Sequence, residues 1–572
     1  MFGGKFLDVL ILMIPIHRIL PFLAWPRLTL RLLHHETLAG VAVGLMVLPQ
    51  GVAYAALAGM PLVTGIYASI LPALITTLFS ATSRLAVGPT ALTCLLVAAS
   101  LTGLAEPGST RWVELAIYLS FMSGLLQVGL GLLRSGWLLN LVSSPVLMAF
   151  TQAAGVLIII SQLPALLGLG AGWGELTAST IHWPSALFGL LSLILLFVAR
   201  RSIPAFPAVL AVVLGAASMS VGLGFEAHGG AVVGLLPAGL PELHWPNMPD
   251  WPTLRRLLLP TLVITLVSFL ETASCAKVVT ERDGRHWDRD QDLIGQGLGK
   301  IASGLCGAFP TSTSFSRSAL NLHAGARSGW SAIASVGVVA MAIFLFMPVL
   351  QHVPRAVLAA IVLVAVLGMI KPAEFVHLWR ISRAEAVVAG VTFVITLLAA
   401  PHLYWGVLAG MLMAMSHFLY QRLHPRIIEV GLHPDGSLRD RHLWELPPLG
   451  SRLYAMRMDA ALDFASASRF EHIILEQLIA QPGTRHICLF AQPINRVDAT
   501  GIEVFSKMSA QLHRRGITLH VSGMKLPFET ALRNAGQLDG DTPILVYRND
   551  SEAINALRQL ADVPANDFIT PV

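Results

Sequence analysis

Charge is what this sequence lacks. Of its 572 residues only 12% are Asp, Glu, Lys or Arg, about half the share of an ordinary soluble domain. The shortage is confined to one part. Residues 1–420 hold 16 of the 33 acids, and the last 152 residues hold the other 17. A soluble fold is therefore excluded for the first part and expected for the second. Cysteine is scarce too. Cys94, Cys275 and Cys306 fall in apolar segments and Cys488 in an expected strand, with neither disulfide nor metal-ligand spacing. There is no HExxH, GxSxG or Walker-type loop, and the 19 His are scattered, so nothing points to an enzyme, a metal or a cofactor. No basic stripe with interleaved aromatics accompanies the net charge of +5, so nucleic acid is not expected as a partner. Nor is there a clean signal peptide: Pro15, His17, Arg18 and Pro21 interrupt the apolar N-terminus. Residues 1–37 read as an interfacial segment.

What is there is apolar helix. A straight span needs about 20 apolar residues. Apolar runs and polar breaks place fourteen segments, near 38–59, 63–80, 89–104, 112–133, 140–162, 181–199, 206–224, 257–280, 292–308, 314–324, 328–347, 353–369, 384–400 and 403–420. With both termini in the cytoplasm, the loops expected inside carry eleven Lys and Arg and those expected outside carry four. That is the sign the positive-inside rule requires. The expected domains are a transport domain at 38–420, a linker at 421–451 and a soluble domain at 452–565.

The third and tenth segments are short and open on proline: Val87-Gly88-Pro89-Thr90, and Phe309-Pro310-Thr311-Ser312-Thr313-Ser314. In hydrocarbon, broken backbone persists only where protein or a wet cavity satisfies it. Two interrupted segments at corresponding places, three and ten of seven plus seven, point to a transport site. Two helix starts meeting at the midplane favour a small anion. Arg317, one turn beyond Ser314, adds charge, and Ser314 and Ser316 add hydroxyls. The plain alternative is that the prolines merely kink two helices.

The motifs are more specific than the spacing. "VLPQGVAYAALAGMPLVTGIYASILP" at 47–72, "AVGPTA" at 86–91 and "GAFPTSTSFSRSALNLHAGARS" at 307–328 resemble the first-, third- and tenth-helix signatures of the SulP family, the sulfate permeases and their animal relatives. The resemblance implies a membrane all-α fold of fourteen spans, as seven-plus-seven inverted repeats with two half-helices. It further implies a core and a gate domain, elevator-like movement and a homodimer. Carried over, it puts the anion site at Gln50 and Tyr54, at Pro89, Thr90 and Ala91, and at Ser314, Phe315, Ser316 and Arg317. Without it, Gln50 reads as a helix–helix hydrogen bond and Tyr54 as an interfacial aromatic.

Glu271 is the one acid deep in a span, about 21 Å along the helix from Leu257 and about 14 Å from Thr280. An intramembrane carboxylate is expensive to keep and is a functional candidate by default. "SFLETASCAKVV" resembles the family's eighth helix, where an acid couples transport to protons or sodium. Lys300, in "LIGQGLGKIASG", departs from the family's neutral residue. It is read either as pairing with Glu271 or as snorkelling to the cytoplasmic face. Lys277, nearer the helix end, reads as a snorkelling lysine.

From about residue 452 strands and helices alternate, from "RLYAMRMDA" to "SEAINALRQLA", which argues an α/β domain. It resembles a STAS domain, with Asp498-Ala499-Thr500-Gly501 entering a helix. Stand-alone STAS regulators carry a phosphorylatable Ser where this chain has Ala499. The expectation is a proton-coupled sulfate carrier of the bacterial inner membrane. Alternatives are a bicarbonate or C4-dicarboxylate carrier, sodium-coupled or exchanging, and an uncoupled anion conductance.

Overall fold

The computed structural model describes residues 20–169, 181–202, 208–237, 239–246, 249–284, 286–538 and 544–560. Most of the expected interfacial segment, residues 1–19, lies outside them, as do residues 561–565 of the expected C-terminal domain. The chain divides into two compact units, Met1–Ala414 and Met415–Val572.

The first unit is helical. Its helices are α1 (Leu30–Leu57), α2 (Leu71–Phe79, after the single turn Thr64–Tyr67), α3 (Ala91–Leu101), α4 (Thr110–Leu132), α5 (Ser144–Leu167), α6 (Trp183–Ser202) and α7 (Ala208–Gly222). There follow α8 (Trp251–Asp283), α9 (Arg289–Leu305), α10 (Phe315–His323), α11 (Trp330–Leu345), α12 (Arg355–Leu367), α13 (Arg383–Leu398) and α14 (Tyr404–Leu423), the last running past the division. These fourteen match the expected segments in order. The helix Pro372–Ile381 stands where the sequence reading had a loop. The helices α1, α4, α5 and α8 and the stretch Arg355–Ile381 are each long and apolar enough to cross a bilayer.

The packing repeats after seven helices. α1 packs on α11 as α8 packs on α4, α6 on α12 as α13 on α5, and α3 on α8 as α10 on α1, while α5 and α12 pack on each other. Moving every label by seven turns each pair into its mate, the mark of a duplicated unit. The helices sort into one group of α1–α4 with α8–α11 and another of α5–α7 with α12–α14. Within the first group, Gly124 of α4 faces Gly297 of α9, and a Cβ on either would lie 2.7 Å from the other's carbonyl oxygen. Small residues at such crossings let backbones meet where no hydrophobic force between helices exists. Along α6 the side chains of Leu187, Leu190, Leu191, Ile194, Leu195 and Phe197 are exposed. So long an unpartnered apolar stripe suits hydrocarbon rather than water.

Two buried acids fix the ends of these helices. Asp292 accepts from the backbone N–H of Thr82 (3.0 Å), its hydroxyl (2.8 Å) and the indole of Trp287 (2.7 Å). Glu36 accepts from the Arg327 N–H (3.0 Å) and the Ser328 hydroxyl (2.9 Å). Each spends its charge on loop donors, and Asp292 thereby ties the segment leading into the third span to the first turn of α9.

The second unit holds a six-stranded sheet, from β3 (Ile427–Leu432) and β4 (Leu438–Asp440) through β5 (Leu453–Met458), β6 (His486–Phe490) and β7 (Thr518–Ser522) to β8 (Ile544–Tyr547). The order is β4-β3-β5-β6-β7-β8, with β5 to β8 parallel and β3 antiparallel to both neighbours. The first two strands come from the segment expected as a linker. Helices α15 (Ala467–Ala480), α16 (Ala499–Arg514), α17 (Leu526–Asn534) and α18 (Asp550–Leu560) complete it. One sheet face packs Phe470, Phe505 and Phe528; the other packs Ala553 and Leu557 of α18. Both faces are covered, as a parallel sheet requires.

Candidate functional site: two helix starts joined by a ribbon

Both half-helices begin at one short antiparallel ribbon. Strand β1 (Val87–Gly88) pairs with β2 (Ser312–Thr313), Val87 opposite Thr313 and Gly88 opposite Ser312. Pro89 cannot continue β1 as a donor, and Thr90 then caps α3 by accepting from the Thr93 N–H at 3.3 Å. Ser314 caps α10 in the same way, from the Arg317 N–H at 3.5 Å. Two further bonds, Ser314 N–H to the Ala86 carbonyl (2.9 Å) and Ala86 N–H to the Ser318 hydroxyl (3.0 Å), lengthen the ribbon. The first-turn N–H groups of two helices, with their positive dipole ends, are thus held side by side.

Arg317 is fully buried between them. One guanidinium nitrogen, Nη2, donates to the Pro89 carbonyl at 2.7 Å. The other two, Nε and Nη1, are buried without a hydrogen-bond partner. Orphaned charged donors are costly in a protein interior, and here they lie beside two helix N-termini. Gly88 makes room for this arginine. Its φ of +155° is one that side chains rarely adopt, and a Cβ there would lie 3.3 Å from both Arg317 Nη2 and the Ser69 hydroxyl.

Glu271, half-buried in the middle of α8, reaches the start of α3. The hydroxyls of Thr90 and Thr93 lie 3.2 and 3.3 Å from its Oε2. A carboxylate at a helix N-terminus is favourably placed. Lys300 neither pairs with Glu271 nor snorkels, contrary to both sequence readings. It is fully buried, and its ammonium donates to the hydroxyls of Ser123, at 3.2 Å, and Ser268.

The other residues singled out in the sequence fall around this centre unequally. Gln50 and Tyr54, one turn apart on α1, are both buried, and the Gln50 amide oxygen has no partner. Pro89, Thr90, Ala91 and Ser314 are buried, whereas Phe315 is 60% exposed and Ser316 is exposed. Lys277 is exposed near the end of α8. The sequence reading missed Thr93, Thr272, Gln296 and Ser312. The Gln296 amide donates to the Thr313 hydroxyl at 3.0 Å, and Thr313 meets Thr272 at 2.9 Å. Spacing alone offered a signal for Thr93, three residues past the capping Thr90.

Inverted repeats, paired half-helices and a buried, partly unpaired arginine, brought together within the α1–α4 and α8–α11 group, are the features of a membrane carrier. The comparisons say which kind. The sulfate permease family pattern matches residues 33–392, and the STAS domain pattern matches residues 451–549. The chain belongs to the sulfate permease family. It is a multi-pass membrane protein of an anion-transporter family with a C-terminal STAS domain. It is 30% identical over 544 residues to a probable sulfate transporter of Mycobacterium tuberculosis, covering 92% of this chain and 96% of that one. It is 28% identical over 536 residues to the chloroplastic sulfate transporter 4.1 of Arabidopsis thaliana, covering 88% and 77%. In fold it is similar to the murine solute carrier 26 family member A9 anion transporter in its inward-facing state, at a TM-score of 0.85 and 19% identity, covering 95% and 94%. It is also similar to the transmembrane domain of a cyanobacterial bicarbonate transporter, at 0.57 and 22%, covering 67% and 98%.

Proposed function

We propose that this chain takes up sulfate together with a proton, by elevator-like movement of the α1–α4 and α8–α11 group against the other helices. The observation that carries the reading is Arg317, with two buried unpaired nitrogens beside the joined starts of α3 and α10. An oxyanion there accepts from the guanidinium edge and from first-turn N–H groups, satisfying donors that nothing else satisfies. The anion site comprises Gln50, Tyr54, Pro89, Thr90, Ala91, Ser314, Phe315, Ser316 and Arg317. Sulfate is chosen because the relatives that match over most of their length are named for it; bicarbonate has only a likeness of fold behind it.

Coupling resides in Glu271. Ionised, it repels an anion arriving at the same helix start; protonated, it removes that repulsion and donates a hydrogen bond. Proton and anion then enter together. The transport domain is taken as 38–420, with both termini cytoplasmic, in the inner membrane of a bacterium as a homodimer. Uptake of labelled sulfate into proteoliposomes, with and without an inward proton gradient, tests this in wild type and Glu271→Gln. Gradient-driven accumulation that the substitution abolishes supports it. Sulfate flux indifferent to both the gradient and Glu271 would remove the coupling, and absent flux would remove sulfate.

A further inference from the structure

Lys300 is left over by the mechanism above. It lies in the middle of α9, fully buried among α4, α8 and α9. Its ammonium is held by Ser123 of α4 and Ser268 of α8, and its carbonyl accepts from the Ser120 hydroxyl at 2.9 Å. Among the described residues no carboxylate stands within ion-pair distance, so its charge is not cancelled by a contact ion pair. Ser268 is one helical turn before Glu271, and the Ser268 carbonyl accepts from Ser312 of the ribbon at 3.3 Å. Ser268 thus joins the ammonium, through its hydroxyl, to the turn that carries Glu271 and, through its carbonyl, to the strand that starts α10.

Among the described residues, the ionisable groups that interact at the site come from five helices. Glu271 comes from α8, Arg317 from α10 and Lys300 from α9; α1 adds Tyr54, α3 Cys94 and α8 Cys275. α4 contributes Ser120 and Ser123. With Lys300 protonated, the acid, the arginine and the lysine together carry one positive unit when Glu271 is ionised and two when it is protonated. A net charge is penalised in a low-dielectric interior and again when moved through a membrane potential.

We propose that Lys300 sets the valence of the anion, by making the site neutral when it holds a dianion and one proton. This rests on the carrier reading given above. Without the lysine, the protonated site carries one positive unit and matches a monoanion. Lys300 does not touch the anion; it is a positioning residue that acts through the charge of the helix group holding the site.

The test is equilibrium binding of sulfate and nitrate to the purified full-length protein, at about pH 6 and about pH 8. Wild type is expected to prefer sulfate, and the preference is expected to grow on acidification as Glu271 and Lys300 are both held protonated. Lys300→Met is expected to lower sulfate affinity by roughly tenfold or more while nitrate changes by less than about threefold, because a lost charge acts on a dianion more than on a monoanion. Lys300→Arg is expected to keep the wild-type ratio. A Lys300→Met protein that weakens both anions equally, or leaves their ratio unchanged, overturns the proposal. Should that variant not fold, a sulfate-to-nitrate ratio in wild type that is flat with pH overturns it just as well. Failure of the carrier reading looks different: wild type then binds neither anion, or Arg317→Gln binds sulfate as wild type does.

Discussion

The two half-helices occupy equivalent places in the duplicated fold, and they are dressed for different work. Helix α3 begins among buried residues, and its capping Thr90 with Thr93 faces the carboxyl of Glu271. Helix α10 begins with exposed Phe315 and Ser316 and carries Arg317, whose free donors lie at the ribbon. Geometry is shared; charge is not. Duplication supplied two positive helix ends, and substitution gave one of them the acid and the other the base. The carboxyl of Glu271 and the free donors of Arg317 thereby stand at the two helix starts of one ribbon, the placement on which the proposed coupling by charge rests.

The comparison breaks most severely at the arginine. Arg317→Gln is expected to lower sulfate uptake by roughly a hundredfold, since charge-assisted hydrogen bonds are worth about 1.5–3 kcal/mol each. Arg317→Lys is expected to recover little of it, because one ammonium cannot bond Pro89 and still present a planar edge. Initial rates in proteoliposomes check both. Gly88→Ala comes next. The added Cβ meets Arg317 at a φ that side chains rarely adopt, and a loss of about tenfold in uptake is expected from an angstrom-scale displacement of the guanidinium. If uptake by Gly88→Ala stays at the wild-type level, the close fit between ribbon and arginine is not what holds the site.

The acid side sharpens the comparison rather than breaking it. Thr93→Val removes one hydroxyl from Glu271 and leaves the capping Thr90 of the proposed anion site in place. The expected result is a displaced pH dependence of sulfate uptake with a change of less than about threefold in the rate at its best pH, because hydroxyl bonds to a carboxylate tune its ionisation. A rate that falls equally at every pH would assign Thr93 to anion binding instead. The smallest effect is expected in the STAS unit. His520 is buried in the sheet, 3.1 Å from His486 and 3.0 Å from the Tyr547 hydroxyl. Burial, and then the neighbouring His486, push its pKa down from 6.5 to about 4. The unfolded chain therefore binds the proton first, and stability is lost as pH falls from about 6.5 through about 4. The protection of the β7 backbone against hydrogen exchange in the full chain, taken relative to the intrinsic rate at each pH, is expected to fall over that window, and His520→Asn to flatten the response.

Much of this was legible in the sequence, for identifiable reasons. Apolar length and loop charge gave the order of the fourteen helices, because hydrocarbon leaves no other way to satisfy a spanning backbone. Proline at 89 and 310 marked the two interrupted segments. The ribbon was not legible: two-residue strands have no alternation to read, and their partners lie far apart in the chain. The contacts of Glu271 were also hidden. A threonine in an apolar helix is usually satisfied by its own backbone four residues back, as Thr272 is by the Ser268 carbonyl, so nothing tied Thr90 and Thr93 to Glu271. Lys300 was misread for a related reason. Its partners are two serines on other helices, and serine in a span carries no sign of what it will face. The helix Pro372–Ile381 went unseen because Lys371, Glu374, His377 and Arg380 interrupt its apolar run.

The most direct measurement is a structure of the protein with selenate, a heavier analogue of sulfate, located by anomalous scattering. The expected position is between the N-termini of α3 and α10, within hydrogen-bond distance of Arg317 Nε and Nη1. Selenate bound elsewhere in a protein that transports it, with those two nitrogens still unpartnered, would contradict the account.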